Sequence, residues 1–292
     1  MKNEEICKRF ELLESERQGS VEQIWDLVER FVVPLRGDFY TTLTDEGEVD
    51  WHRREIYDST AVFACQSLAA SLQGNLTSPS QRWFELKFRD DELNEDDAAK
   101  TWLDDCTNKI YNALSETNFD IEIAEAYLDI VAFGTSVLTE EMDEESGRLN
   151  FSAVPVREIY FEEDHRKQVK RLYRKLQWTP VQIQSKFGDD LPDFVKEKLE
   201  DPSSSTEKLE IVFCIYPRPV PNDLDTSKPI APKSRPFGYK YVLKSTKDTL
   251  GEEGGYYEMP AFVARWAKTA GSRWGHSPSI TCLLYTSPSP RD

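Results

Sequence analysis

After Gly134 the apolar spacing of this chain changes from a period of about 3.6 residues to a period of 2. No other feature of the sequence limits the fold as strongly. Before it the pattern is helical. Ile6, Phe10 and Leu13 recur at helix spacing, and Ser20 with Gln23 has the form of a capping box ahead of a face made by Ile24, Trp25, Val28 and Phe31. Pro34 stops that helix, and a polar loop is expected over Gly37–Val49. The next helix is predicted from Arg54 to Gln73, with Gly74 as its C-cap and Ile56, Thr60, Phe63, Ser67 and Leu68 on one face. Ala61, Ala64, Ala69 and Ala70 keep its surface small enough for close packing. A Ser78–Pro79 turn then leads to a short strand holding Trp83, Phe84, Leu86 and Phe88. Asn94 is placed to cap a helix with the stripe Trp102, Cys106, Ile110, Leu114. Ile123 to Val131 belong to a further helix that ends at Gly134.

Beyond Gly134, Thr135–Met142 and Arg148–Val156 are predicted to form a hairpin, and Ile159–Phe161 and Val169–Trp178 to extend the β region. Two short helices are expected near Thr179–Phe187 and Leu191–Glu200. The stretch DPSSST, Asp201 to Thr206, has linker composition, and strands are expected at Leu209–Tyr216, Phe237–Leu243 and Tyr256–Trp266. The proline-rich connection from Pro217 to Pro236 is expected to be an extended arm, and Gly251–Gly255 (GEEGG) a loop between strands. The fold class is therefore α+β. Residues 1–200 are expected to form an α-rich domain, 207–266 a smaller β-containing region and 267–280 a turn.

The 292 residues and 39% hydrophobic content suffice for at least one sizeable core. A net charge of −17 disfavours a module that holds nucleic acid by neutralising phosphates. Cys7, Cys65, Cys106, Cys214 and Cys282 are too scattered for a disulfide framework and suit a reducing compartment. The charged start MKNEEICKRF lacks the apolar segment of a secretion signal, and no stretch is apolar enough to span a membrane.

No catalytic motif is present. His52, His165 and His276 lack a second ligand at metal spacing, and neither a phosphate loop nor a nucleophile elbow occurs. The acidic runs Asp90–Asp97 and Glu140–Glu145 lack the spacing of a calcium loop and are read as solvated faces. Lys167, Lys170, Arg171, Arg174 and Lys175 form one basic cluster, open to phosphate or to an acidic neighbouring subunit. Trp83, Trp102, Trp178 and Trp266 sit in apolar patterns and are expected to be mostly core anchors, whereas packing explains Trp274 less well. Neither cofactor nor metal is expected, and no enzymatic activity.

Two segments resemble a known family. In Arg53–Asp90, the residues Tyr57, Asp58, Ser59, Thr60, Leu76, Thr77, Ser78, Pro79, Trp83 and Phe84 match the Tyr-Asp-Ser-Thr start, Leu-Thr-Ser-Pro turn and Trp-Phe exit of the head-to-tail connecting, or portal, proteins of short-tailed phages. Glu258–Ser279 resembles the strand and glycine-bearing Ser-Pro turn of the same family through Gly275, Ser277 and Pro278, with His276 where Arg is commoner. The resemblance implies a structural ring subunit at the capsid vertex, usually in twelve copies, through which DNA is packaged and ejected. It implies a wing-like region over 1–200 and a stem- and clip-like portion over 207–266. The implied partners are the major capsid and scaffold proteins, the terminase large subunit, tail adaptors and duplex DNA in transit, with no membrane. The implied location is the virion's portal vertex, after assembly in the host bacterial cytoplasm. A capsid or scaffold interaction protein without a channel is the alternative, and a hydrolase a more distant one. In this family the Ser-Pro turn leads into a long helix, which this chain lacks. Its last residues, LLYTSPSPRD, resemble sequencing-adapter read-through, so 281–292 are expected to be a non-native, unstructured tail.

Overall fold

The computed structural model describes residues 1–34, 58–142, 147–201, 203–219, 230–269 and 271–286. The chain is α+β and divides into two compact units: Met1–Gln23 with Arg157–Ala261, and Ile24–Val156 with the chain from Phe262 on.

The first unit is a helix on a sheet. Five antiparallel strands, β3 (Ile159–Glu163), β4 (Val169–Trp178), β5 (Leu209–Pro217), β6 (Phe237–Leu243) and β7 (Thr249–Tyr256), lie in chain order. Helix α1 (Asn3–Gln18) places Ile6, Cys7, Phe10 and Leu13 on a core of Tyr160, Tyr173, Val212, Cys214, Tyr216 and Val242. Arg17 fixes the end of α1 to β3, donating to the Ile159 carbonyl at 2.9 Å and to the Tyr160 hydroxyl at 2.6 Å. It also pairs with Glu22 at 2.6 Å. Helices α6 (Pro180–Phe187) and α7 (Asp193–Glu200) bridge β4 and β5, and α6 opens with a capping box of Thr179 and Gln182.

Two expectations fail in this unit. The DPSSST segment divides nothing, because β4 before it and β5 after it pair from Leu172↔Ile215 to Trp178↔Leu209. An α-rich 1–200 and a β-rich 207–266 are therefore not the compact units. Gly251–Gly255 is not a loop but part of edge strand β7. Glycine is required there because a Cβ on Gly254 would enter the Tyr239 ring, and one on Gly255 would lie 2.8 Å from the Phe237 carbonyl oxygen. Glu253, just before them, accepts from Tyr216 at 2.7 Å and pairs with Lys240 at 2.8 Å and with Arg218. Burial alone would raise its pKa, but these donors outweigh it and hold the carboxyl at about 2. The proline-rich arm falls largely on 220–229, outside the described residues.

The second unit is built from α2 (Glu22–Phe31), α3 (Thr60–Leu76), α4 (Asp97–Ser115), α5 (Phe119–Phe133) and α8 (Pro278–Thr286). Its small sheet has the order β2 (Leu149–Val154), β1 (Thr135–Met142), β8 (Ala261–Arg265). The predicted β1–β2 hairpin forms, with Val137 opposite Val154 and Met142 opposite Leu149. A ribbon of β9 (Ala267–Lys268) and β10 (Gly275–His276) follows β8.

Several local readings change here. Ser20 does not cap α2; its hydroxyl turns back to the Glu16 carbonyl at 2.8 Å. Asp96, not Asn94, caps α4. Helix α3 runs past Gly74, and its buried residues are Cys65 and Ala69, whereas Phe63 faces solvent. The stripe on α4 is displaced by one position: Leu103 and Thr107 are buried, and Trp102 and Ile110 exposed. Residues 281–286 continue α8 and so are not unstructured. Among the described residues no helix is long and apolar enough to cross a membrane.

Candidate functional site

The second family-like segment closes on the junction between α5 and β1. Gly134 ends α5 in the left-handed conformation, at φ +78°, with its N–H on the Ile130 carbonyl. Gly275 passes directly over it. A Cβ on Gly134 would lie 2.5 Å from the Gly275 carbonyl oxygen, and one on Gly275 would strike the Gly134 oxygen. Neither obstacle is a movable side chain, so both positions need glycine. The Gly275 N–H donates to Thr135 Oγ1 at 2.9 Å, and the Trp266 N–H to the Gly134 carbonyl at 2.9 Å.

Hydroxyls then take up carbonyls at the C-terminal end of α5. Ser277 Oγ donates to the Ala132 carbonyl at 2.7 Å, and Ser279 Oγ to the Val131 carbonyl at 2.9 Å. Ser277 also caps α8, accepting from the Ile280 N–H at 3.0 Å, and Pro278 fills the first helical position, where no N–H is needed. Two neighbours complete the joint. Trp25 of α2 is fully buried, edge-on to Trp274 at 4.9 Å, and donates to the Phe133 carbonyl at 3.1 Å. Cys65 of α3 interacts with the Ser279 side chain, and burial raises its thiol pKa, so it is no ready nucleophile. The two family-like segments therefore meet at Cys65 and Ser279.

The first segment is more dispersed. Tyr57 lies outside the described residues. Asp58 starts α3 by accepting from the Thr60 N–H at 2.9 Å and its hydroxyl at 2.6 Å, which holds the Asp58 carboxyl below its usual pKa. Ser59 is the N-cap residue but makes no side-chain cap bond. Leu76 is exposed and Thr77 buried. Ser78 and Ser80 pair their hydroxyls at 3.0 Å in the turn that carries Pro79.

Trp83 and Phe84 do not lie in a paired strand. Both backbone N–H groups donate to Tyr111 Oη of α4, at 2.6 and 2.7 Å. Trp83 stacks on Phe119 at 6.0 Å yet remains 39% exposed, so it is not a core anchor. Trp102 and Trp266 are also exposed and Trp178 is half-buried, whereas Trp274, like Trp25, is buried. Truncating Trp83 to Ala is accordingly expected to cost about 1–2 kcal/mol, below the range for a fully buried Trp. Urea unfolding followed by circular dichroism measures this, and a loss above about 4 kcal/mol would mean that the ring is anchored more deeply.

The basic cluster lies on the sheet of the first unit. Lys170 is 3.9 Å from Asp164, Arg171 pairs with Glu162 at 2.7 Å, and Arg174 with Glu158 at 2.8 Å. Lys175 reaches Glu14 at 2.6 Å, and Lys167 occupies the β3–β4 turn at φ +63°. Lys170, Arg171, Arg174 and Lys175 thus each face an acidic residue of their own chain. Among the described residues no group of three or more His, Cys, Asp or Glu side chains is set to hold a metal.

The joint is a mechanical arrangement: backbone against backbone, capped by hydroxyls. A family model described as "Bacteriophage head to tail connecting protein" matches residues 3–284 and so includes both halves of the joint. The chain belongs to that family. Among curated relatives, it is 27% identical over 283 residues to the "Probable portal protein" of Bordetella phage BPP-1, covering 95% of this chain and 49% of that protein. It is 25% identical over 265 residues to the "Portal protein" of Salmonella phage epsilon15, covering 90% and 46%. The chain thus spans about half the length of the relatives it matches. Sequence reasoning picked out Gly275, Ser277 and Pro278 of this connecting-protein joint, but not Thr135, Trp25 or Cys65. Their one signal is a polar or aromatic residue beside an apolar face, which many core positions share.

Proposed function

We propose that this chain forms part of a portal subunit, a structural, non-enzymatic protein that assembles as a closed ring at the capsid vertex and passes viral DNA. The observation that carries this reading is the family match over 3–284, with relatives called portal proteins. In this reading about twelve copies meet head to tail, as cyclic closure requires. The resemblance assigns the wing-like part to residues 1–200 and the stem- and clip-like portion to 207–266. Capsid and scaffold proteins, the terminase large subunit and tail adaptors are the partners, and the ring joins the virion after assembly in the host cytoplasm. The test is sedimentation and electron microscopy of the protein made from the complete reading frame. A closed ring of about twelve subunits is expected; a monomer that binds capsid protein would favour an interaction protein without a channel.

A portal wall should not hold DNA. The net charge of −17 and the ion pairs around Lys170, Arg171, Arg174 and Lys175 leave few cations to displace counterions. Weak duplex binding is expected in a titration from about 50 to 200 mM salt, changing little when Lys170 and Arg174 are replaced by Glu. Tight binding at the upper salt limit, lost in that double variant, would identify a nucleic-acid face and refute a non-adhesive wall.

A further inference from the structure

The stretch from Arg82 to Asp90 has one saturated edge and one open edge. The N–H groups of Phe84, Leu86 and Phe88 all point to one side, where Tyr111 Oη, Thr107 Oγ1 and Asn94 Oδ1 accept them at 2.7, 3.3 and 2.8 Å. Phe84, Leu86 and Phe88 are half-buried, while Glu85 and Lys87 are exposed and pair with each other at 2.6 Å. From Phe84 to Phe88 donors and burial alternate with period 2, as in an extended strand, while the Trp83 N–H shares the Tyr111 acceptor with Phe84. Side chains thus occupy the position of a neighbouring strand on its inner edge. The backbone N–H and C=O of Glu85 and Lys87 point to the opposite side, and among the described residues nothing bonds to them. An unpaired edge of this kind is a template for another strand.

The sequence of the edge specifies that strand. RWFELKFRD, Arg82 to Asp90, is complementary to itself when run antiparallel about Leu86. Glu85 then faces Lys87 twice, Phe84 faces Phe88 and Trp83 faces Arg89. In an antiparallel ladder, residues that exchange two hydrogen bonds alternate with residues that exchange none. With Leu86 on the two-fold axis, the two Glu85–Lys87 pairs are the bonded ones, which are the residues whose polar groups are free. Backbone direction, side-chain charge and aromatic content thus select one register.

We propose that a second copy of this chain docks on the 82–90 edge by antiparallel strand pairing, with Glu85 of each copy opposite Lys87 of the other. Such a contact is isologous. It cannot close a head-to-tail ring, so it is separate from the ring contacts proposed above and joins free subunits or subunits of different rings.

The test is sedimentation equilibrium of the full 292-residue chain over a wide concentration range. Reversible pairing is expected. E85K or K87E alone sets like charges opposite each other at both pairs and is expected to weaken pairing roughly tenfold or more. The double variant E85K/K87E carries both changes but recreates both attractions, and is expected to return to within about threefold of the parent. K87P removes an outward N–H, leaves the bonds to Tyr111, Thr107 and Asn94 in place, and should abolish pairing while the circular dichroism spectrum is kept. A chain that stays monomeric throughout would overturn the proposal, the two charges then acting to guard the edge. So would association that K87P leaves intact, or a double variant no better than the singles. A full-length ring that still forms with K87P would leave the portal reading standing.

Discussion

Replacing Gly134 with Ala is expected to lower the stability of the helix-rich unit by about 2–5 kcal/mol, from two effects that add. The backbone at φ +78° is left-handed, which costs a residue with a Cβ roughly 1–2 kcal/mol. The new methyl would also lie 2.5 Å from the Gly275 carbonyl oxygen and 2.8 Å from the His276 carbonyl carbon. Both are backbone atoms tied down by bonds to Thr135, Ala132 and Val131, so relief requires moving a strand and the start of α8, at about 1–3 kcal/mol. The measurement is urea unfolding by far-ultraviolet circular dichroism, read as a fall in midpoint at constant slope. Gly147→Ala is the control. Gly147 has a similar φ of +68° but nothing within 4 Å of the added Cβ, so it should lose only the backbone cost, about 1–2 kcal/mol. Equal losses at both positions would mean that the Gly134–Gly275 contact yields freely and is no rigid joint.

Trp25→Ala is expected to cost about 3–5 kcal/mol, the range for removing a buried aromatic. Trp25 has no exposed surface, meets Trp274 edge-on at 4.9 Å and Phe133 at 6.1 Å, and donates to the Phe133 carbonyl at 3.1 Å. The substitution leaves a cavity at the place where α2, α5 and the Gly275 turn are held together. Trp25→Phe keeps part of the volume and loses the N–H, so it should fall between Ala and the parent. Thermal unfolding gives the order. A Trp25→Ala protein as stable as Trp83→Ala would show that burial at this joint does not govern stability.

The β1–β2 hairpin, the end of α5 and the strands β3 to β6 were readable because each is set by local chemistry. A left-handed glycine stops α5, Thr135–Met142 pairs with the nearby Leu149–Val154, and Thr179 with Gln182 caps α6. β7 was not readable. TLGEEGGY has poor strand propensity, and Gly254 and Gly255 answer to Tyr239 and Phe237 on the strand beside it and to Arg218 just beyond β5, which no local rule can see. The face of α3 was misplaced for a related reason. A helix of Ala, Ser and Cys has no dominant apolar stripe, so the choice of Cys65 and Ala69 as the buried side is made by α5 and α8.

The sequence by itself determined the order of helices and strands, the turn at Ser277–Pro278 and the acidic charge that argues against a grip on DNA. Tertiary structure alone decided which tryptophans are buried, that Lys170, Arg171, Arg174 and Lys175 face acids of their own chain, and that Gly134 meets Gly275. Propensity and period act over a few residues. The Gly134–Gly275 contact and the Lys175 ion pair depend on partners more than a hundred positions away, such as Gly275 for Thr135 and Glu14 for Lys175, and the pairs of Lys170, Arg171 and Arg174 depend on strand pairing around β3 and β4; all are fixed when the chain closes on itself.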